Sequence, residues 1–183
     1  MAATGWAVAA SDRSDAFVFF GATGDLAFKQ IFPALAGLVR DEALDMPIIG
    51  VARSGDLASL RERARQSLQA HGFTDPAATQ TLVDRLRYVK GPDEDAGTFA
   101  ALRHELGQAK RPLHYLAIPP GLFGQVVTNL ARSGCATGAR IIVEKPFGRD
   151  LASAVALNRV IHEVFAESAV FRIDHYLGKE PVQ

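Results

Sequence analysis

The chain has 183 residues, 48% of them hydrophobic and 22% charged, and its 20 acidic side chains cancel its 20 basic ones. That size and balance suit one soluble globular domain with a single good core. They exclude a surface built as a whole for nucleic acid or anionic lipid, so any basic site is a local cluster. The single Cys135 leaves no internal disulfide, which fits a reducing compartment. No apolar run reaches the roughly 20 residues that span a bilayer. The start of the chain lacks the pattern of a secretory signal. The expectation is a cytoplasmic protein without membrane or nucleic-acid partners, with a loose tail over residues 1–15 and one domain over 16–183.

Short apolar runs at 17–20, 48–51, 86–89, 113–118, 141–143 and 170–173 are β-branched or aromatic and bounded by Gly, Pro or charge, so they predict strands. Most are apolar throughout, which suits strands covered on both faces. Helical segments lie between them. The first spans 26–40, where the internal Pro33 predicts a kink or a local irregularity. Asp56 opens 57–70, which His71-Gly72 closes, and Asp75-Pro76 pairs an N-cap with proline at the first helical position. Further helices are expected at 98–106, 122–132 and 151–165, the last capped by Asp150. Alternation of this kind predicts an α/β domain with a Rossmann-type, doubly wound, mainly parallel sheet and helices on both faces.

In such sheets ligands bind beyond the carboxyl ends of the strands. The first strand is followed there by Gly21-Ala22-Thr23-Gly24-Asp25-Leu26, a strand-to-helix loop suited to a pyrophosphate. It departs from the G-x-G-x-x-G fingerprint, because Thr23 and Leu26 stand at the second and third glycine positions. A tight turn with Asp25 as N-cap fits the same string. Arg53 follows the second strand, with no carboxylate before Asp56. An arginine there can fork onto a 2′-phosphate, which favours NADP over NAD; a solvated surface arginine is the alternative.

Glu144-Lys145-Pro146 follows the fifth strand, and an X-Pro bond, cis or extended, could aim Lys145 into the crevice. The last segment, Arg172-Ile173-Asp174-His175-Tyr176-Leu177-Gly178-Lys179-Glu180, is dense in polar groups at a strand-to-helix junction. On a helix His175 and Lys179, four apart, would share a face and could grip a phosphate together, although a solvated helix start has the same spacing.

The strings GATGDL, VARS, LHYLAIPP, EKPFGRDL and RIDHYLGKE, in this order, resemble the glucose-6-phosphate dehydrogenase family from about Phe17 to the last residue. The resemblance implies oxidation of glucose 6-phosphate at C1 to the lactone, with hydride passed to NADP. It places Gly21, Thr23, Gly24, Asp25 and Leu26 along the nucleotide and Arg53 on its 2′-phosphate. Tyr115 and the loop at Pro119 would line the cofactor site, and Lys145 would touch cofactor and sugar. His175 and Lys179 would hold the substrate phosphate, with Tyr176 nearby. Asp174 would orient the catalytic histidine and stabilise its charged form.

Two departures bear on this reading. Gln30 stands where the family is often basic. The family's histidine base and its second, α+β domain are expected beyond Gln183, so the chain is expected to bind NADP and turn over glucose 6-phosphate poorly. His71, His104, His114 and His162 fall inside helix or strand patterns and read as surface or packing residues. A catalytically silent NADP-binding module and another Glu-Lys-Pro sugar dehydrogenase are the rival readings. A short-chain dehydrogenase needs Tyr and Lys four apart, whereas Tyr176 and Lys179 are three apart.

Overall fold

A computed structural model describes residues 13–174. The strands are β1 (Ala16–Phe20), β2 (Ile48–Ala52), β3 (Leu86–Lys90), β4 (Pro112–Leu116), β5 (Arg140–Glu144) and β6 (Val170–Ile173). The helices are α1 (Phe32–Arg40), α2 (Leu57–Ala70), α3 (Pro76–Arg85), α4 (Ala96–Leu106), α5 (Phe123–Arg132) and α6 (Leu151–His162). The strands form one six-stranded sheet in the order β3-β2-β1-β4-β5-β6, with every pairing parallel. This is the doubly wound order that reverses direction between β1 and β4 and opens a crevice there.

Two apolar layers cover the sheet. Phe32 and Leu35 of α1, Leu60 and Leu68 of α2 and Leu82 of α3 pack on Phe17, Phe19 and Ile48. On the other face Phe99 and Leu102 of α4, Val126 and Leu130 of α5 and Ile161 of α6 pack on Val18, Phe20, Ile141 and Val143. Strands β1 and β2 are buried along their whole length. The edge differs from the expectation of strands covered on both faces. In β5 only Ile141 and Val143 are buried, and in β6 only Val170, while Ile142 and Ile173 are partly buried against the first apolar layer.

Four of the six α-helices, α2, α3, α4 and α6, start where an aspartate side chain satisfies a free N–H group, whereas α1 and α5 continue from the preceding π and 3₁₀ turns without a side-chain cap. Asp56 and Asp150 each form a reciprocal box with Ser59 and Ser153, and Asp75 and Asp95 accept from Ala78 and Thr98. The irregularity expected at Pro33 is a π turn, Ala27–Ile31, directly before α1. Phe32 N–H donates to the carbonyl of Ala27, five residues back, so the carbonyl of Phe28 is released from the helix ladder. The hydroxyl of buried Ser67, on α2, donates to it. A proline inside the run is therefore tolerated by local rewinding, and the orphaned carbonyl finds a side-chain partner. Among the described residues no helix is long and apolar enough to cross a membrane.

Candidate functional site

The loop after β1 is held by backbone. Gly21 and Ala22 both donate to the carbonyl of Val51 on β2, at 3.0 and 3.1 Å, and Gly24 donates back to Gly21 at 2.8 Å. Gly21 has φ +78°, and a Cβ there would lie 2.2 Å from the carbonyl oxygen of Ala117, in the loop that leads to Pro119. Only glycine combines that conformation with that approach. A Cβ on Gly24 would stand 3.1 Å from the oxygen of Gly21. The helical run follows at once, with Phe28 N–H bonded to the Gly24 carbonyl at 3.2 Å. A bare turn before a helix start is the shape that admits a pyrophosphate. Thr23 and Asp25 are exposed, Leu26 is half-buried, and Asp25 pairs with Lys29 at 3.6 Å. Gln30 is exposed on the same run.

Arg63 of α2 braces this loop. Its Nη2 donates to the carbonyl of Gly24 at 3.1 Å, and its guanidinium lies 5.0 Å from the centre of the Phe28 ring. Close approach of α2 depends on Gly50 in β2, where a Cβ would come within 2.9 Å of both Ala22 and Leu60.

Arg53 sits in the turn after β2, exposed, with Nη2 donating to Glu94 Oε2 at 3.0 Å. Tyr88 of β3 fixes the turn by donating its hydroxyl to the carbonyls of Ala52 and Ser54, at 3.2 and 2.7 Å. Burial pushes that hydroxyl above its ordinary pKa. The glycine loop and the Arg53 turn adjoin: a Cβ on Gly55 would lie 3.8 Å from the Thr23 methyl.

Across the β1–β4 crevice the groups are side chains. Tyr115 of β4 is buried and donates its hydroxyl to Glu144 at the end of β5. Burial, and then this bond, drive its pKa well above the usual tyrosine range. Lys145 pairs with Asp174, just past β6, and the Lys145–Pro146 bond is cis. Pro119 precedes a 3₁₀ turn, Pro120–Leu122, and accepts from Leu122 N–H at 2.9 Å. His175, Tyr176 and Lys179 lie outside the described residues.

The described histidines stand away from the crevice, as read from sequence. His114 is buried in β4 with Nε2 2.8 Å from the carbonyl of Cys135, and burial pushes its pKa down to about 4. His71 Nδ1 meets the carbonyl of Ser67 at 2.7 Å, and His162 meets Glu167 at 3.0 Å. Sequence reasoning missed Arg63, Tyr88, Glu94 and the partnership of Glu144 with Tyr115. An aromatic at the centre of β3 was the available signal for Tyr88. Among the described residues no group of three or more His, Cys, Asp or Glu side chains is placed to hold a metal ion.

A parallel sheet in this order, with a glycine loop between β1 and the first helical run, defines a dinucleotide-binding Rossmann domain. Residues 18–183 match the family model described as "Glucose-6-phosphate dehydrogenase, NAD binding domain". The chain belongs to that family. It is 46% identical over 171 residues to glucose-6-phosphate 1-dehydrogenase 1 of Mycobacterium bovis, with 92% of this chain and 36% of the relative covered. The Caenorhabditis elegans glucose-6-phosphate 1-dehydrogenase is 39% identical over 182 residues, covering 91% of this chain and 34% of the relative. The crystal structure of glucose-6-phosphate 1-dehydrogenase from Mycobacterium avium superimposes with a TM-score of 0.86 at 46% identity, over 92% of this chain and 37% of that one. A glucose-6-phosphate dehydrogenase in complex with its substrate glucose 6-phosphate gives 0.81 at 37% identity, over 92% and 38%. The chain thus spans about a third of the length of these relatives.

Proposed function

We propose that this chain is the nucleotide-binding portion of a cytoplasmic enzyme of the pentose phosphate pathway that oxidises glucose 6-phosphate at C1 to the lactone, with NADP as oxidant. The observation that carries the reading is the placement of the Gly21 loop and the Arg53 turn side by side at the ends of β1 and β2, in a chain of this family. The bare turn at Gly21 and Gly24 suits a pyrophosphate, and Arg53, exposed in the adjoining turn, would take a 2′-phosphate. When bound, NADP accepts the hydride that leaves C1. Lys145, two strands beyond β1, would meet the cofactor's reacting end and the sugar. Its partner Asp174 would orient the histidine that removes the C1 hydroxyl proton. His175, Tyr176 and Lys179 are assigned to the substrate phosphate and its surroundings.

Titration of the 183-residue chain with NADP and NAD tests the cofactor assignment. Arg53→Ala is expected to weaken NADP by about ten- to a hundredfold, since a charge-assisted bond to a phosphate contributes about 1.5–3 kcal/mol, and to leave NAD unchanged. An unaltered NADP preference would remove the 2′-phosphate assignment.

A further inference from the structure

Arg53 does not face solvent alone. The loop after β3 carries Asp93, Glu94 and Asp95 in succession and is locked against the end of β2. Gly91 N–H donates to the carbonyl of Ala52 at 3.0 Å, so the residue before Arg53 and the start of this loop are joined. Gly91 has φ +159°, and a Cβ there would lie 1.9 Å from Thr98 Oγ1. Buried Asn129, on α5, donates to the carbonyl of Glu94 at 3.3 Å, and Asp95 caps α4 through Thr98. Backbone anchored on both sides thus holds the Glu94 carboxylate 3.0 Å from the Arg53 guanidinium. Behind it Asp93 is 6% exposed, and its Oδ1 finds no hydrogen-bond partner among the described residues. Burial raises its pKa, Arg53 opposes that rise and Glu94 adds to it, so the three side chains share one electrostatic neighbourhood.

We infer that Glu94 sets the cofactor preference of this site by competing with a 2′-phosphate for Arg53 and by accepting from a free ribose 2′-hydroxyl. The inference rests on the assignment of Arg53 to the 2′-phosphate. A phosphate arriving at Arg53 shares the guanidinium with Glu94, or displaces it, and in either case stands beside its carboxylate. A ribose hydroxyl meets no such opposition and finds an acceptor fixed by the Asn129 and Gly91 anchors. The site therefore takes NAD as well as NADP, with a narrower preference than an arginine without a counter-ion would give. Carboxylate and arginine, the two devices that ordinarily divide NAD sites from NADP sites, here stand on adjacent turns.

The test is calorimetric titration of the 183-residue chain with 2′,5′-ADP and 5′-AMP, for wild type, Glu94→Gln, Glu94→Ala and Arg53→Ala. Glu94→Gln is expected to tighten 2′,5′-ADP by about three- to fivefold, the scale of an exposed ion pair released, with the gain shrinking at high salt. Glu94→Ala is expected to give the same gain and to weaken 5′-AMP by about threefold, through loss of one hydrogen bond. Equal tightening of both nucleotides would overturn the inference, because it marks a general charge effect. No change in either Glu94 variant, with Arg53→Ala still weakening 2′,5′-ADP, would overturn it and leave the Arg53 assignment standing. If Arg53→Ala alters neither nucleotide, the assignment itself falls and the inference with it.

Discussion

The two halves of the sheet hold their site groups by different physics. On the β1–β2–β3 side the strands at the centre are fully buried, and the loop is shaped by backbone hydrogen bonds and by glycines whose missing side chains let other atoms in. Burial thins toward both edges, at β3 as at β5 and β6, but on the β4–β5–β6 side the site consists of paired side chains, Tyr115 with Glu144 and Lys145 with Asp174. Large apolar groups remain open on this side, with Leu151 81%, Val155 60% and Phe171 47% exposed. Steric constraint fixes the glycine loop of the first half, and electrostatic pairing holds the groups of the second. A substitution at a loop glycine therefore disturbs folding together with the site, whereas one in an exposed ion pair, Arg53–Glu94 or Lys145–Asp174, can change the site alone.

The largest expected effect is on the steric side. Gly21→Val forces a branched side chain into positive φ and against the Ala117 carbonyl, so it should lower unfolding free energy by about 3 kcal/mol or more in a urea titration. A loss under about 1 kcal/mol would show that the loop can move and that the steric account is wrong. Gly50→Ala is smaller, since its Cβ meets Ala22 and Leu60 at 2.9 Å and α2 can shift slightly; about 1–3 kcal/mol is expected.

A third prediction concerns a polar group buried in the second half. His114 has a folded pKa of about 4 against an ordinary 6.5. The unfolded chain thus binds the proton more readily, and the stabilisation from a neutral His114 is complete above 6.5 and lost as pH falls toward about 4. The slope from this residue is at most about 1.4 kcal/mol per pH unit, and it should vanish from the difference between wild type and His114→Asn above that window. Unfolding curves across the acid range check it.

The smallest effect tests the electrostatic side. The Lys145 and Asp174 side chains are 57% and 25% exposed, so solvent screens their attraction. Lys145→Met should change stability by no more than about 0.5 kcal/mol. A loss comparable to that of Gly21→Val would erase the contrast between the two halves.

Much of the fold was legible because its signals are local. All the strands fell within two residues of the apolar runs at either end, and Asp56, Asp75 and Asp150 marked their helices. Pro33 announced the irregularity that became the π turn. The partial covering of the second face at β5 and β6 was not legible, since Ile141-Ile142-Val143 looks equally apolar whether that face is covered in part or in full. Within the site, Gly21, Arg53 and Lys145 could be found because each follows a strand. Arg63 and Glu94 could not. Their partners lie 39 and 41 residues away, and they meet only because α2 crosses the loop and β3 lies beside β2.

The π turn also separates two angular settings along one helical run. A regular α-helix turns by about 100° per residue, so the direction of the loop would dictate which side chains of α1 face the sheet. The wider turn at Ala27–Ile31 takes in one extra residue at a smaller rotation, and beyond it Phe32, Leu35 and Val39 are buried in the core while the loop keeps its own setting. Loop geometry and core packing are thereby uncoupled at a single residue. A one-residue deletion there would turn one of them away from its target while leaving the run helical.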